Sequence, residues 1–344
     1  MCSKAILPED ANSVLCSPPP PVLRHASSGT CVAEQPRKAK QGSDEKLRVL
    51  LLGGSGFVSG AIARVALAKG HQVTIVTRGI KPLPQGVSAI RADRTLPGSL
   101  EAAMAATKED FDLVVDCIGY QAADARQDLA LFAERCRHLV FISSDFVFDP
   151  AKRQFPQPES NAFFLTDNSY GANKRRCELE FIQHTKNFSH WSILRPCHIY
   201  GPGSRLGCLP EHGRDPGLIE RIRTGTPLRL VGGGKFLQQP IFVDDLANLV
   251  LSCPFSPCSA RQIYHCAGPD IVESVTYYQI LAELLGCSLN VEELPVLDYL
   301  REHPEQKSFL CHRIYDLKKI RMDCLEVPST PLRTGLQNHL ESLL

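Results

Sequence analysis

No stretch of this chain approaches the ~18 consecutive apolar residues of a membrane-spanning helix. Segments such as Leu47 to Leu52 are only strand-sized. Net charge is nearly absent as well: 38 basic against 37 acidic residues leave +1, so no global field favours nucleic acid or an anionic membrane. The fourteen cysteines contain no CxxC pair, and the tightest spacing, Cys253 to Cys258, falls in a proline-rich turn. They read as scattered thiols of a reducing compartment, with no metal expected, and the expected location is cytoplasmic. A basic surface interleaved with aromatics is missing too, which argues against a nucleic-acid partner. Residues 1–45 lack any sustained apolar period and carry Pro18 to Pro21, so a disordered tail is expected there. That tail has no apolar core for secretion, and Glu9, Asp10 and Glu34 count against an organelle presequence.

What is present begins at Lys46. A hydrophobic content of 43% and a charged content of 22% over 344 residues suit one large or two moderate globular domains. Leu47 to Leu52 reads as a buried strand, and Gly53 to Gly60 as a turn opening an alanine-rich helix that runs to about Lys69. Gly53 and Gly56 are the first two glycines of a GxxGxxG pattern whose third position is Ser59. Such a turn lets the backbone approach a pyrophosphate, which then rests on the helix N-terminal amides near Phe57 and Val58.

His71 to Gly79 is the expected second strand and its exit. Thr77 stands where an NAD site usually has a carboxylate for the ribose, and Arg78 follows with Lys81 close behind. A cation there suits a 2′-phosphate, so NADP is favoured over NAD. Val87 to Arg91 is a third strand leading to Asp93, placed to hydrogen-bond an adenine amino group. Asp112 to Gly119 is a fourth, with Ile118 beside the cofactor path. Asp124 to Arg137 is expected to be helical, and His138 to Ser143 to form the fifth strand, with Ser144 at its C-terminal end.

Tyr170 and Lys174 complete the set. Four residues apart on a helix they share a face, so the ammonium can stabilise the tyrosine anion while Ser144 holds the reacting oxygen. Later segments are less regular. Leu218 to Thr224 looks helical, Leu228 to Val231 strand-like, and Asp244-Asp245 reads as a helix N-cap rather than a metal pair.

In this order the glycine turn, the serine and the Tyr/Lys pair resemble the extended short-chain dehydrogenase/reductase family, the NAD(P)-dependent nucleotide-sugar epimerases, dehydratases and reductases. Ile193 to Gly203, Phe242 to Ala247 and Thr330 to Leu336 look like further motifs of that family, so the resemblance covers residues 46–344. It implies a doubly wound parallel Rossmann sheet over residues 46–200. A smaller C-terminal substrate-binding lobe, interleaved with returning Rossmann elements, would occupy 201–344. It also implies Tyr170 as acid/base, Lys174 on the phenol and the nicotinamide ribose, Ser144 on the substrate oxygen, and Pro196 bordering the nicotinamide ring. The activity implied is reversible hydride transfer on a sugar or nucleotide sugar; a small-molecule substrate and a homodimer are the partners expected.

Two stretches point to different cousins. Ser143 to Asp149 is similar to the S-T-D-Y-V-F-D of dTDP-4-dehydrorhamnose reductases, and Phe146 replaces the glutamate of the 4,6-dehydratases. Gly53 to Gly79 looks more like an atypical branch that includes chloroplast RNA-associated proteins, which keeps a non-catalytic scaffold as the alternative. The Arg-Asp that precedes Phe-Val-Asp-Asp in many nucleotide-sugar enzymes is replaced by Gln238-Gln239-Pro240. Arg205, Arg214, Arg221, Arg223 and Arg229 remain as diphosphate candidates.

Overall fold

Alternating strand and helix segments, each apolar where it meets the next layer, set the architecture. The computed structural model describes residues 45–80, 82–183, 188 and 190–344. The expected disordered tail and the contribution of Lys81 lie outside the described residues. Strands β1 (Arg48–Leu52), β2 (Gln72–Thr77), β3 (Ser88–Arg91), β4 (Phe111–Asp116), β5 (Cys136–Ile142) and β6 (Trp191–Pro196) join a late strand, Gln262–Cys266, in one sheet. From one edge the order is β3, β2, β1, β4, β5, β6 and then Gln262–Cys266, and every pairing is parallel. The chain reverses its direction of winding between β1 and β4, and ligands of such sheets bind in the crevice beyond the strand C-termini at that point.

Helices cover both faces because the strands are apolar on both. Within β1, Val49 and Leu51 point into one core with Ile62 and Ala66, while Leu50 and Leu52 point into the other with Phe132 and Phe181. That is the period of two expected of a strand buried on both sides. The first six helices are α1 (Phe57–Ala68), α2 (Ser99–Ala106), α3 (Ala122–Phe132), α4 (Tyr170–Gln183), α5 (Leu218–Arg223) and α6 (Val243–Ser252); α1 packs on α6 over the first core, and α3 on α4 over the second. A third cluster, with Tyr200, Leu228, Tyr277, Tyr278 and Leu336 among its members, forms from the later segments.

Two local readings change. The helix expected to reach Arg137 stops at Phe132, because Cys136 already pairs with Phe111 as β5 begins. Arg135 closes the turn by donating to the carbonyls of Met104 and Thr107. Asp244 and Asp245 are not the N-cap of α6, which is Phe242; they lie in its first turn. There Asp244 pairs with Arg64 of α1, and Asp245 accepts hydrogen bonds from the Ser329 and Thr330 amides and the Thr330 hydroxyl. The pair therefore ties the C-terminal segment to the sheet's helical layer. Among the described residues no His/Cys/Asp/Glu group could hold a metal, and no helix is long and apolar enough to cross a membrane.

Candidate active site

The turn after β1 is built so tightly that its first two residues must be glycine. A Cβ on Gly53 would fall 2.3 Å from Ile118 Cγ2, and one on Gly54 2.3 Å from Ile75 Cβ. Gly53 also sits at φ 91°, in the left-handed region that side chains disfavour. Ser59 does more than fit where a third glycine would stand. Its hydroxyl donates to the Gly53 carbonyl and accepts from the Gly56 amide at 3.1 Å, clipping the turn shut across the start of α1. Gly60, one position late in the motif, has no neighbouring atom within 4 Å of where its Cβ would be.

From Gly53 and Gly56 a cleft of about 560 Å³ runs past Ile118 to Thr77, Arg78 and Asp93. A glycine cradle that any Cβ would fill, backed by a helix N-terminus, fits the pyrophosphate of a dinucleotide. Thr77 Oγ1 accepts from the Gly79 amide at 3.2 Å, which shapes the β2 exit and leaves Arg78 exposed on the rim. Asp93 Oδ1 accepts from the Thr95 hydroxyl (2.7 Å) and amide (3.0 Å), and these bonds hold its carboxyl below the ordinary range.

A second cleft, of about 450 Å³, adjoins the first. Val58, Ser144, Tyr170, Lys174 and Pro196 line it, and Tyr120 lines both clefts. The sequence reading had passed over Tyr120. Lys174 is 2% exposed, and its ammonium donates to the carbonyls of Gly119 (2.7 Å) and Ile142 (2.8 Å). The rings of Phe141, Tyr120 and Tyr170 lie 4.8, 4.9 and 6.0 Å away. The ammonium is therefore fixed by backbone carbonyls within an aromatic box, not by the phenol. Burial, then Tyr120, push the Tyr170 phenol up to about 12, while a hydrogen bond with Ser144 works the other way. The chain's own groups thus leave Tyr170 protonated at neutral pH; a bound oxidised nicotinamide would act with Lys174 to lower the phenol.

Two features the sequence reading missed fix α4 in place. A Cβ on Gly171 would lie 1.9 Å from the Phe146 carbonyl, so only glycine lets the start of α4 press against the segment carrying Ser144. Glu178, one further helical step along the Tyr170/Lys174 face, is fully buried and receives Arg195 of β6 in a two-pronged pair (2.7 and 2.8 Å). It also accepts from the Ser143 hydroxyl at 2.7 Å and from Arg175 at 2.8 Å. The signal was available: a glutamate at i+4 from Lys174, on a face that otherwise turns inward.

Asp145 is fully buried as well. Arg313 grips both its oxygens (2.8 and 2.9 Å), Arg153 approaches to 3.4 Å, and the Tyr315 hydroxyl donates to it. Burial opposes ionisation, but the two guanidiniums hold the carboxyl below its ordinary range. Among the arginine candidates, Arg214 lines the second cleft and lies 5.9 Å over the Phe57 ring; Arg221 and Arg229 line a neighbouring groove. Arg205 and Arg223 line neither cleft. Arg313 lines the second cleft, though its distance along the chain hid it from the sequence reading. Gln239, within the stretch that replaces the motif's Arg-Asp, is consumed by structure: it donates to the Gly268 carbonyl and accepts from the Tyr315 amide, both at 2.9 Å.

A doubly wound parallel sheet with a glycine cradle at its switch point defines a Rossmann-type dinucleotide-binding protein. The chain belongs to the NAD dependent epimerase/dehydratase family, whose model matches residues 49–253. Over 80% of its length it is 39% identical to a 2'-dehydrokanamycin reductase of Streptomyces kanamyceticus, covering 78% of that protein. It is 24% identical over 67% of its length to the chloroplast stem-loop binding protein of 41 kDa b of Arabidopsis thaliana, of which it spans 61%. Its fold matches a UDP-N-acetylglucosamine 4-epimerase from Methanobrevibacter ruminantium, solved with UDP-N-acetylmuramic acid, at a TM-score of 0.70. That match has 18% identity over 87% of this chain and 98% of the other.

Proposed function

We propose that this protein is an NAD(P)-dependent oxidoreductase that transfers hydride reversibly to the carbonyl of a sugar-type substrate, working as a keto-sugar reductase. The observation that carries the reading is the convergence of Ser144, Tyr170 and Lys174 on a cleft adjoining the glycine-cradle cleft. A bound nicotinamide dinucleotide supplies the hydride. Gly53, Gly56, Phe57 and Val58 would hold its pyrophosphate, Asp93 its adenine, Arg78 a 2′-phosphate, and Ile118, Lys174 and Pro196 its nicotinamide half. Ser144 orients the substrate carbonyl. As hydride reaches the carbonyl carbon, the phenolic proton of Tyr170 passes to the oxygen, giving the alcohol and a phenolate beside the Lys174 ammonium.

Reduction is favoured over dehydration by the state of Asp145. Asp145, the acid that follows Ser144, is paired with Arg313 and Arg153 and is not free to eliminate water. The 39% identity to a 2'-dehydrokanamycin reductase points the same way. NADPH is the preferred donor in this reading, because Thr77-Arg78 offers a cation and no carboxylate.

To test it, the purified protein is denatured and any released dinucleotide identified; the emptied protein is then titrated with NADPH and NADH. Tighter binding of NADPH, with turnover of keto-sugars that Tyr170→Phe abolishes, supports the proposal. Stoichiometric retained NAD would replace the reductase with an epimerase that recycles its hydride. Failure to bind either dinucleotide would replace both with a scaffold.

A further inference from the structure

Behind Lys174 lies a buried cluster of charges that the reaction proposed above leaves without a task. Arg94 reaches in from the loop after β3, its side chain 5% exposed, and forms part of the wall of the first cleft. Its guanidinium stands 3.1 Å from Asp116, the last residue of β4, 2.8 Å from Asp128 of α3, and 3.7 Å from Asp124. Asp116 and Asp128 are fully buried. The Ile118 amide donates to Asp116 Oδ1 at 2.8 Å. A Cβ on Gly119 would fall 2.2 Å from Asp116 Oδ2, so this carboxylate packs against the very residue whose carbonyl receives the Lys174 ammonium.

The remaining oxygens, Asp116 Oδ2 and Asp128 Oδ2, have no other partner among the described residues. A proton on one side chain, donated to the other, would account for both. Burial and the Asp116 charge push the Asp128 carboxyl well up, so it is the acid of the pair. At Asp116 burial acts in the same sense but is outweighed by Arg94, by the bond from Asp128 and by Lys174, and the carboxyl stays below its ordinary range. Asp116 is thus a single anion paired with Arg94 and linked through Gly119 to the Lys174 ammonium. Of the other groups around it, Asp124 is partly exposed and capped onto the Tyr120 and Gln121 amides, and the Cys117 thiol is pushed up by burial and stays neutral. Tyr120, whose phenol burial also pushes up, completes the surroundings.

We propose that Asp116 is a positioning residue for this reaction: braced by Arg94 from the wall of the first cleft, it is the counter-charge that keeps the Lys174 ammonium charged and pinned beside Tyr170. Burial alone pulls the ammonium toward its neutral form, and Asp116 is the foremost group opposing it. A neutral Lys174 keeps two N–H donors for the Gly119 and Ile142 carbonyls but loses the charge that strengthens those bonds and its attraction for the phenolate left after proton transfer.

The inference rests on the proposed function only for its purpose; its test needs neither dinucleotide nor substrate. The Lys174 side-chain resonance, assigned by its loss in Lys174→Met, is titrated with pH by nuclear magnetic resonance in the full chain. Asp116→Asn is expected to weaken proton binding at Lys174 roughly tenfold or more. Asp128→Asn is expected to change it less than about twofold, because that acid is already neutral. An unchanged Lys174 titration in folded Asp116→Asn overturns the proposal, and so does an equal response to both variants. Should Asp116→Asn not fold, Gly119→Ala moves the same carboxylate aside and is expected to shift Lys174 in the same direction; no shift there overturns it equally. If Lys174 responds while Tyr170→Phe keeps full turnover, the functional reading fails and the Asp116 assignment stands.

Discussion

Glu178 and Arg195 form a two-pronged ion pair in which both side chains are sealed from solvent, at 2.7 and 2.8 Å. The pair bolts α4 to β6, and because Glu178 follows Lys174 by one helical step, it sets the rotation at which Tyr170 and Lys174 face the cleft. The Arg195 guanidinium also lies 4.9 Å over the Phe148 ring, so its apolar surroundings are specific. Removing one partner strands a buried charge. Glu178→Ala is expected to cost about 3–5 kcal/mol of stability, read as a lowered midpoint in denaturant. A loss within measurement error would show that the pair does not hold the helix.

Gly171 makes a sharper test of alignment, because the clash there is local. With a Cβ 1.9 Å from the Phe146 carbonyl, Gly171→Ala must push the start of α4 away from Ser144. Turnover is expected to fall at least about tenfold while dinucleotide affinity, set mainly in the first cleft, stays within about twofold. Wild-type turnover in this variant would mean that the contact between α4 and the Ser144 segment is irrelevant to catalysis.

Much of this arrangement is legible in the residues themselves. Glycine spacing between an apolar strand and an alanine-rich helix carries local geometry, so the cradle and the order of the strands follow from short windows. So does the placing of Tyr170 and Lys174 on one helical face. What escapes is set by long-range packing. Arg313 meets Asp145 across 168 residues, Arg94 meets Asp128 across 34, and no local period announces either. The N-cap reading of Asp244-Asp245 failed for the same reason: the acids serve Arg64 and the Ser329-Thr330 backbone rather than their own helix. Ser59 shows the intermediate case, where its size was legible and the bond its hydroxyl makes was not.

Two buried histidines, His138 and His265, and the half-buried His198 are expected to make stability depend on pH above the carboxylate range. Burial lowers His138, His198 and His265 to about 3 from an ordinary 6.5. A group depressed on folding contributes fully above its unfolded value and loses that contribution as pH falls toward its folded value. Unfolding free energy is therefore expected to decline from about pH 6.5 downward, by up to about 1.4 kcal/mol per pH unit for each histidine. Below about 4 the paired carboxylates Asp145 and Glu178, also depressed, add to the decline. Denaturant midpoints measured between pH 8 and 5 test the first window. A flat profile there, or a rise as pH falls, would contradict neutral burial of these rings.

Choice between the two dinucleotides is expected to fall at the rim of the first cleft. At the end of β2, Thr77 uses its hydroxyl to accept from Gly79, and Arg78 stands exposed beside the cleft where a 2′-phosphate of bound NADP would lie. A carboxylate in place of Thr77 would accept from ribose hydroxyls and repel that phosphate. With a threonine the site lacks both effects, and the Arg78 guanidinium can make charge-assisted bonds to phosphate oxygens. Such bonds contribute about 1.5–3 kcal/mol each, so Arg78→Ala is expected to weaken NADPH binding roughly ten- to a hundredfold. NADH, which has no phosphate at that position, is expected to bind within about twofold of wild type. The measurement is a pair of fluorescence titrations on each protein. Equal losses for both dinucleotides would assign Arg78 to general electrostatic attraction, and no loss for either would leave it a solvated loop charge with the 2′-position unread.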